Sequence, residues 1–306
     1  MKKNINFTNY NNSNATIVTI GTFDGVHIGH QKIIKRLVDI AHKKYLNSVV
    51  LTFFPHPRMV LQNNNDIKLL NTIEERETIL SDLGLDYLVV KTFTKEFANL
   101  SAEEFVKNIL VNKLNAKHII IGYDHRFGKG RSANIDDLKS FGKLYNFEVE
   151  EISVQDIEDV SVSSTKIRNA LNDGDIITAN TYLGYSFYIT GKVVKGKGLG
   201  RKIGFPTANL EIAEDYKLIP KNGVYVIKTS IENKLVYGMM NIGMNPTVNG
   251  TKKTIEAHFF NFNNDIYNKT LKIEFVARLR DEQKFESVEL LKKQLKLDEK
   301  NAKAFI

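Results

Sequence analysis

Cysteine is missing from all 306 residues, which excludes disulfides and thiolate metal sites and closes any zinc-ribbon or redox reading. Metal ligation is left to seven histidines and the carboxylates. Long apolar runs are missing too. None approaches the ~20 residues a membrane span needs, and the opening MKKNINFTNYNNSNAT carries basic residues with no apolar stretch behind them. A cytoplasmic chain is expected. No internal repeat, low-complexity linker or dense Lys/Arg block occurs. What remains is a globular composition, 42% hydrophobic and 25% charged, with a formal charge of +8. That charge favours polyanionic partners, whether nucleic acid, phospholipid or nucleoside polyphosphates, without choosing among them.

From Ala15 to about Val154, short β-branched runs alternate with segments of helical period, the signature of βαβ units and a parallel sheet. The expected strands are ATIVTIG, SVVLTFF, YLVVKTF, KHIIIGY and FEVEEISV. Between them, Ile33, Ile34, Leu37, Ile40 and Ala41 keep helical spacing. Thr72 to Glu75 and Ser101 to Glu104 read as capping boxes, and Gly84 as the residue that closes a helix. A last helix runs from Ser163 through Ile167, Ala170 and Leu171 to Gly174. After about Tyr185 the texture changes to short alternating runs, FYITGKVV, GVYVIKTS, KLVYGMMNIG, TIEAHFF and LKIEFVARL, which imply an antiparallel barrel or sandwich. ESVELLKKQL reads as a closing helix. Two domains follow, 1–184 and 185–306.

In an open parallel sheet, ligands bind beyond the carboxyl ends of the strands. Every polar cluster of the first domain falls there. GTFDGVHIGHQKII follows the first strand, with Gly21, Asp24, His27, Gly29 and His30; Phe54 to Pro57 with His56 follows the second; Gly122 to Gly128 with Asp124 and Arg126 follows the fourth; Ser163, Ser164, Thr165 and Arg168 follow the fifth. Two imidazoles one turn apart at a helix N-terminus suit a phosphate chain, and Gly29 lets it approach. Capping or core filling is the plain alternative for each histidine. A two-histidine metal site is a second, weakened because His56 has no carboxylate pair near it in sequence. Three hydroxyls before Lys166 and Arg168 exceed what one cap needs and suggest an oxyanion clamp.

The second domain opens on GKVVKGKG, which fits G-x-x-x-x-G-K but puts Gly198 where a magnesium-binding Ser or Thr belongs, with no helix expected behind it. A basic glycine-rich β-loop, Lys195 to Gly204, remains, able to cradle phosphates. Thr207 and Asn209 share a face if that segment is extended; a cation site with a phosphate and a turn-exit pair stand as equal readings. Glu256 alternates with Ile255 and Ala257 and shares its face with His258. General base and buried ion pair are both open for it.

Together, GTFDGVHIGH, TFFPHP, GYDHRFGKGR, VSSTKIRNAL, GRKIGFPTANL, NIGMNPT and IEAHFF resemble the bacterial bifunctional riboflavin kinase/FAD synthetase family over nearly the whole chain. The resemblance implies an α/β, Rossmann-like HxGH nucleotidyltransferase domain followed by an all-β, six-stranded antiparallel barrel kinase domain with a C-terminal helix. It implies transfer of AMP from ATP to FMN in the first, giving FAD and pyrophosphate, and phosphorylation of riboflavin to FMN in the second. Carried over by position, His27 and His30 act on the ATP phosphates with Gly21, Phe23, Asp24, Gly29 and Asp124, while Ser163, Ser164, Thr165 and Arg168 clamp the phosphates. In the kinase half, Gly196, Gly198, Gly200, Thr207 and Asn209 bind ATP, Thr207 and Asn209 hold Mg2+, and Glu256 is the base. His56, Pro57, Arg126 and Arg280 contact flavin. The sequence departs from the family at His125, usually aromatic, and at Ala133, often glycine.

The expected partners are therefore small molecules, ATP, riboflavin and FMN, with no nucleic acid and no membrane; oligomeric state is left open. One rival is an RNA-binding protein, because HIGH-like and SSTKIR segments also occur in aminoacyl-tRNA synthetases; this chain has no obvious anticodon-binding region. The other keeps only the nucleotidyltransferase active and makes the barrel an assembly module.

Overall fold

β-branched runs pair where the alternation expects them. The computed structural model describes residues 3–11, 13–62, 67–122, 125–152, 162–196, 198–247 and 250–306. It divides into two compact units, Met1–Ser163 and Ser164–Ile306.

The first unit is built on a sheet of β1 (Lys3–Asn6), β2 (Thr16–Ile20), β3 (Asn47–Phe54), β4 (Tyr87–Thr92), β5 (Ala116–Gly122) and β6 (Glu148–Ile152). Their order is β1-β4-β3-β2-β5-β6, and each neighbouring pair is parallel. β1 was not expected from its asparagine-rich sequence; Ser153 and Val154, expected to extend β6, lie outside the described residues. Successive side chains alternate between two cores. Val18, Ile20, Val49, Leu51, Ile119 and Ile121 face one core, while Ile17, Val50, Leu88 and Ile120 face the other. Central strands buried on both faces read as continuous apolar runs for that reason.

The helices are α1 (Ile28–Lys44), α2 (Pro57–Leu61), α3 (Ile73–Asp82), α4 (Lys95–Ala98), α5 (Ala102–Glu104), which runs on as a π-helix (Phe105–Lys113), and α6 (Ile135–Tyr145). α1 buries Ile33, Ile34, Leu37 and Val38 against one face of the sheet; Phe105, Val106 and Leu110 of the π-helix cover the other. Both expected capping boxes form, Thr72 with Glu75 and Ser101 with Glu104, and Gly84 follows α3 with φ +86°. The chain winds from β2 through β3 to β4 on one side, then returns to place β5 on the other side of β2. The crevice beyond the carboxyl ends of β2 and β5 is thus the topological switch point, where such sheets bind ligands.

The second unit begins with α7 (Ser164–Asp173) and α8 (Ile176–Leu183). The division at 184 places both segments in the first domain, and the sequence reading ended its last helix at Gly174, so α8 is an addition; both belong to the same compact unit as the barrel. Asn180 shows why: its amide donates to the Phe275 carbonyl at 3.0 Å and its carbonyl accepts from Phe187 N–H at 2.7 Å. The barrel consists of β7 (Tyr188–Val194), β8 (Ala208–Glu211), β9 (Gly223–Ile231), β10 (Lys234–Thr247), β11 (Gly250–Phe259) and β12 (Thr270–Arg280). It closes in the order β10-β11-β8-β7-β12-β9, and the pairs are antiparallel. α9 (Leu199–Lys202) lies in the glycine-rich loop, and α10 (Val288–Ala302) is the expected C-terminal helix.

Asn134 caps α6 with a box the sequence reading passed over: its carbonyl accepts from Asp136 and Asp137 N–H, and Asp137 accepts from Asn134 N–H. Asn134→Ala should lower stability by about 1 kcal/mol and Asn134→Ser should restore most of it, as read from urea unfolding followed by helical circular dichroism.

Two candidate active sites

The turn between β2 and α1 carries the first site. Phe23 and Val26 have φ of +47° and +36° and Gly25 +87°, and for a buried valine that is strained backbone. The surroundings over-determine it. Asp24, buried, accepts from Leu70 N–H at 2.9 Å and Asn71 N–H at 3.3 Å, and lies 3.6 Å from Arg76. Gln31 donates to the Val26 carbonyl at 2.9 Å, and Thr52 to the Thr22 carbonyl at 3.2 Å. Asp24 therefore anchors the turn from within. Gly21 sits where an added Cβ would meet the Phe23 ring at 3.0 Å, and that ring lies 5.0 Å from His30.

His27 is the N-cap of α1: its Nδ1 accepts from His30 N–H at 3.3 Å. An accepting Nδ1 is unprotonated, so in the neutral ring Nε2 carries the hydrogen and is the donor. The His27 and His30 rings stack at 3.6 Å, 17° from parallel. Burial pushes His27 down to about 4, against a smaller opposing pull from Asp24. Burial also holds His30 well below its ordinary value, with the neighbouring His27 and Arg76 adding to it. Both imidazoles are neutral at pH 7, at the positive end of a helix on the switch point. Neutral N–H donors and helix N–H groups bind an anion there without bringing a second buried charge.

Other expected residues of this unit are placed as follows. His56 N-caps α2 through Arg58 N–H at 3.2 Å, with Pro57 at the first helical position. Arg126 is exposed beyond β5. Phe127 and Ala133 exchange backbone hydrogen bonds at 3.1 Å, so alanine at position 133 leaves that loop closed. Asp124 lies outside the described residues. Ser163 and Thr165 are exposed, Ser164 and Arg168 half-buried, and α7 buries Ile167, Ala170 and Leu171 as its spacing expects. Among the described residues, no group of three or more His, Asp or Glu side chains could hold a metal ion.

The second site forms where β8 meets β11. Glu256 stands directly opposite Asn209 in the register, and its Oε2 accepts from Thr207 Oγ1 at 3.3 Å. Ile255, Ala257 and Phe259 are buried, whereas Glu256 and His258 are half-buried on the other face. The carboxylate is therefore outside the barrel interior. Among the described residues it has a hydroxyl partner and no ion-pair partner. His258 donates from Nδ1 to the Pro206 carbonyl at 2.8 Å and packs its ring on Phe205 at 5.2 Å, which fixes the segment carrying Thr207.

The glycine-rich loop lies close over these groups. A Cβ at Gly196 would stand 2.0 Å from Asn209 Nδ2, and one at Gly200 2.2 Å from the Phe205 carbonyl. A side chain at Gly200 would run into backbone, and one at Gly196 would have to displace the Asn209 amide. Gly198, at φ +69°, precedes α9. Beside the loop opens a cavity of about 470 Å³ whose lining includes Arg201, Thr207, Phe262 and Tyr267. Sequence reasoning missed Arg201 and the 262–267 segment. Arg201 could have been found as the one arginine among the four cations of the Lys195–Gly204 loop; the segment has no periodic signal. The Arg280 fork pairs with the buried Asp298 of α10 at 2.6 and 2.9 Å, and its Nη1 donates to the Asp281 carbonyl.

Comparison with known proteins covers the same two halves. A family model described as FAD synthetase matches residues 9–166, and one described as riboflavin kinase matches residues 183–306. A bifunctional riboflavin kinase/FMN adenylyltransferase from Buchnera aphidicola subsp. Schizaphis graminum is 41% identical over 291 residues, 94% of this chain and 92% of that one. Its namesake from Listeria monocytogenes is 39% identical over 291 residues, with the same coverage. A Streptococcus pneumoniae crystal structure described as a macrolide-efflux protein superposes with a TM-score of 0.89 at 34% identity over 98% of both chains. From that neighbour the fold is carried over. No helix among the described residues is long and apolar enough to cross a membrane.

The depressed His27 makes stability depend on pH with a definite sign. Its value in the folded chain, about 4, lies below the ordinary 6.5, so between these two values the unfolded chain binds a proton that the folded one does not. The stability this group contributes is full above pH 6.5 and is lost as pH falls towards 4, by about 3 kcal/mol. His27→Asn, which keeps a capping oxygen, should flatten that part of the unfolding free energy measured against pH.

Proposed function

The chain belongs to the family of bifunctional riboflavin kinase/FMN adenylyltransferases, and from that premise we propose how its residues divide the two reactions. The enzyme phosphorylates riboflavin with ATP to give FMN, then joins FMN to AMP from a second ATP, releasing pyrophosphate and forming FAD. What carries the residue assignment is one geometric fact. Side chains marked by the resemblance meet within each unit: Thr207 and Asn209 reach Glu256, 49 and 47 residues away, at the barrel, and His27 stacks on His30 at the sheet.

In adenylyl transfer, a phosphate oxygen of FMN attacks the α-phosphorus of ATP and pyrophosphate leaves. Little covalent chemistry is asked of protein; position and charge stabilisation do the catalysis. His27 Nε2–H and the N-terminal N–H groups of α1 donate to phosphate oxygens as charge shifts towards pyrophosphate. Gly21 and Gly29 keep that approach open, with Phe23 behind His30. Asp24 serves the turn rather than the nucleotide. Asp124, Ser163, Ser164, Thr165 and Arg168 keep the phosphate-binding role the resemblance implies, and His56, Pro57 and Arg126 the flavin-binding one.

In the kinase reaction, the riboflavin 5′-hydroxyl attacks the γ-phosphorus of ATP, its proton passes to Glu256, and ADP leaves. Half-buried and bonded to a hydroxyl instead of a cation, Glu256 keeps a lone pair for that proton. The oxygen donors of Thr207, Asn209 and Glu256 suit Mg2+, which takes one or two protein oxygens and completes its shell with water and substrate phosphates. Thr207 and Asn209 would hold it; when bound it neutralises phosphate charge. Gly196, Gly198 and Gly200 bring loop backbone against the phosphates. Arg280 contributes to the flavin pocket by fixing α10 through Asp298.

Incubation with riboflavin and Mg-ATP alone should yield FMN and then FAD, resolved by chromatography. Glu256→Gln should cut riboflavin phosphorylation by ~10²–10⁴-fold with riboflavin affinity, melting and FAD synthesis from supplied FMN retained. His27→Ala should do the reverse, slowing FAD formation by roughly 10²-fold and sparing the kinase. A stable, flavin-binding Glu256→Gln enzyme with normal kinase turnover would remove Glu256 from the mechanism.

Gly196→Ala offers an independent check. Its methyl group must displace the Asn209 side chain, so kinase KM for Mg-ATP should rise while FAD synthesis from FMN is unaffected; unchanged kinase kinetics would detach Asn209 from the nucleotide site.

A further inference from the structure

A guanidinium buried behind the β2–α1 turn has no role in the chemistry above. Arg76, in the first turns of α3, is 1% exposed and among the largest fully buried side chains. Its Nη1 donates to Thr52 Oγ1 at 3.3 Å, and that hydroxyl donates onward to the Thr22 carbonyl at 3.2 Å. Its Nη2 lies 3.6 Å from Asp24 Oδ1. One side chain thus reaches the turn at two places, directly at Asp24 and through β3 at Thr22. The turn it reaches is the strained one, with positive φ at Phe23 and Val26, and backbone of that kind persists only where its surroundings hold it.

Charge gives Arg76 a second hold on the site. The charged or titratable groups acting on His30 are His27 at the start of its own helix and Arg76 from α3, while Asp24 in the turn acts on His27. Arg76 lowers His30 and Asp24 raises His27, each beside the larger effect of burial, so the pair bears on charge at the site as well as on place. A residue serving only to fill space would need neither the fork nor the charge.

We propose that Arg76 is a positioning residue for adenylyl transfer, fixing the Thr22–Val26 turn through Thr52 and Asp24 so that His27 and His30 meet the phosphates in a set geometry. The inference rests on the adenylyltransferase reading. It separates geometry from charge: Thr52→Val breaks the relay and keeps the charge pair, Arg76→Lys keeps the charge and loses the fork, and Arg76→Met loses both.

The test uses the full-length enzyme, with FAD formation from FMN, riboflavin phosphorylation and melting measured on each preparation. Thr52→Val and Arg76→Lys should lower kcat for FAD formation by about 10-fold with KM for ATP nearly unchanged, since small misplacement of reacting groups costs rate before binding. Thr52→Ser should restore the rate. Arg76→Met should cost about 10²-fold and move the His30 titration, followed by NMR of its ring protons, upward; in Arg76→Lys it should stay in place. Should Arg76→Met prove insoluble, the Thr52 variants decide. Folded Thr52→Val and Arg76→Lys enzymes with wild-type FAD formation would overturn the proposal, as would an Arg76→Met enzyme whose rate falls only with its folded fraction and whose His30 titrates as before. Wild-type enzyme that makes no FAD from FMN would instead overturn the adenylyltransferase reading.

Discussion

A strained turn held from three sides is the constraint on which the first unit depends. Positive φ at a phenylalanine and a valine is unfavourable by on the order of 1–3 kcal/mol each, and the chain tolerates it between β2 and α1 because Asp24 binds two backbone N–H groups of the 70–71 segment. That bend aims α1 so that its N-terminus opens on the switch point. It also sets His27 as the cap and stacks His30 upon it. With a relaxed turn in its place, the helix would still cover the sheet, but its first N–H groups would face elsewhere.

The barrel solves the same problem with a different device. Glu256 and Asn209 are fixed opposite one another by strand register, which needs no strained backbone, and the close approach comes instead from a loop made thin by glycine. Gly196 and Gly200 approach Asn209 and Phe205 more closely than any side chain would allow. Both devices leave backbone donors beside oxygen or N–H side-chain groups, with no activated nucleophile. That suits transfer of phosphoryl and nucleotidyl groups, in which the substrates supply the reacting atoms and protein supplies place and charge.

What sequence made legible was chemistry of short range. The Thr72 and Ser101 capping boxes and the Gly84 stop each depend on residues within a few positions and form as read. The one-turn spacing of His27 and His30 is local in the same way. Contacts across distance were hidden. Asp24 finds its backbone partners at Leu70 and Asn71, 46 and 47 residues away. Thr207 and Glu256 are 49 apart. Arg76 drew no notice on an amphipathic helix, where an arginine ordinarily faces water. β1 and β8 have too few residues to establish a period, and α8, eight residues long, lies beyond Gly174, where the sequence reading ended its last helix.

The histidine stack has a bearing on how the enzyme meets its surroundings. A phosphate site built from lysine or protonated histidine gathers its ligand by long-range attraction, and its occupancy shifts with acidity and ionic strength. Two imidazoles kept neutral by burial offer hydrogen bonds in place of that attraction. On the proposed reading of these two groups, hydrogen bonding to phosphate would keep its character under modest acidification, where a site relying on ordinary histidines would change its charge.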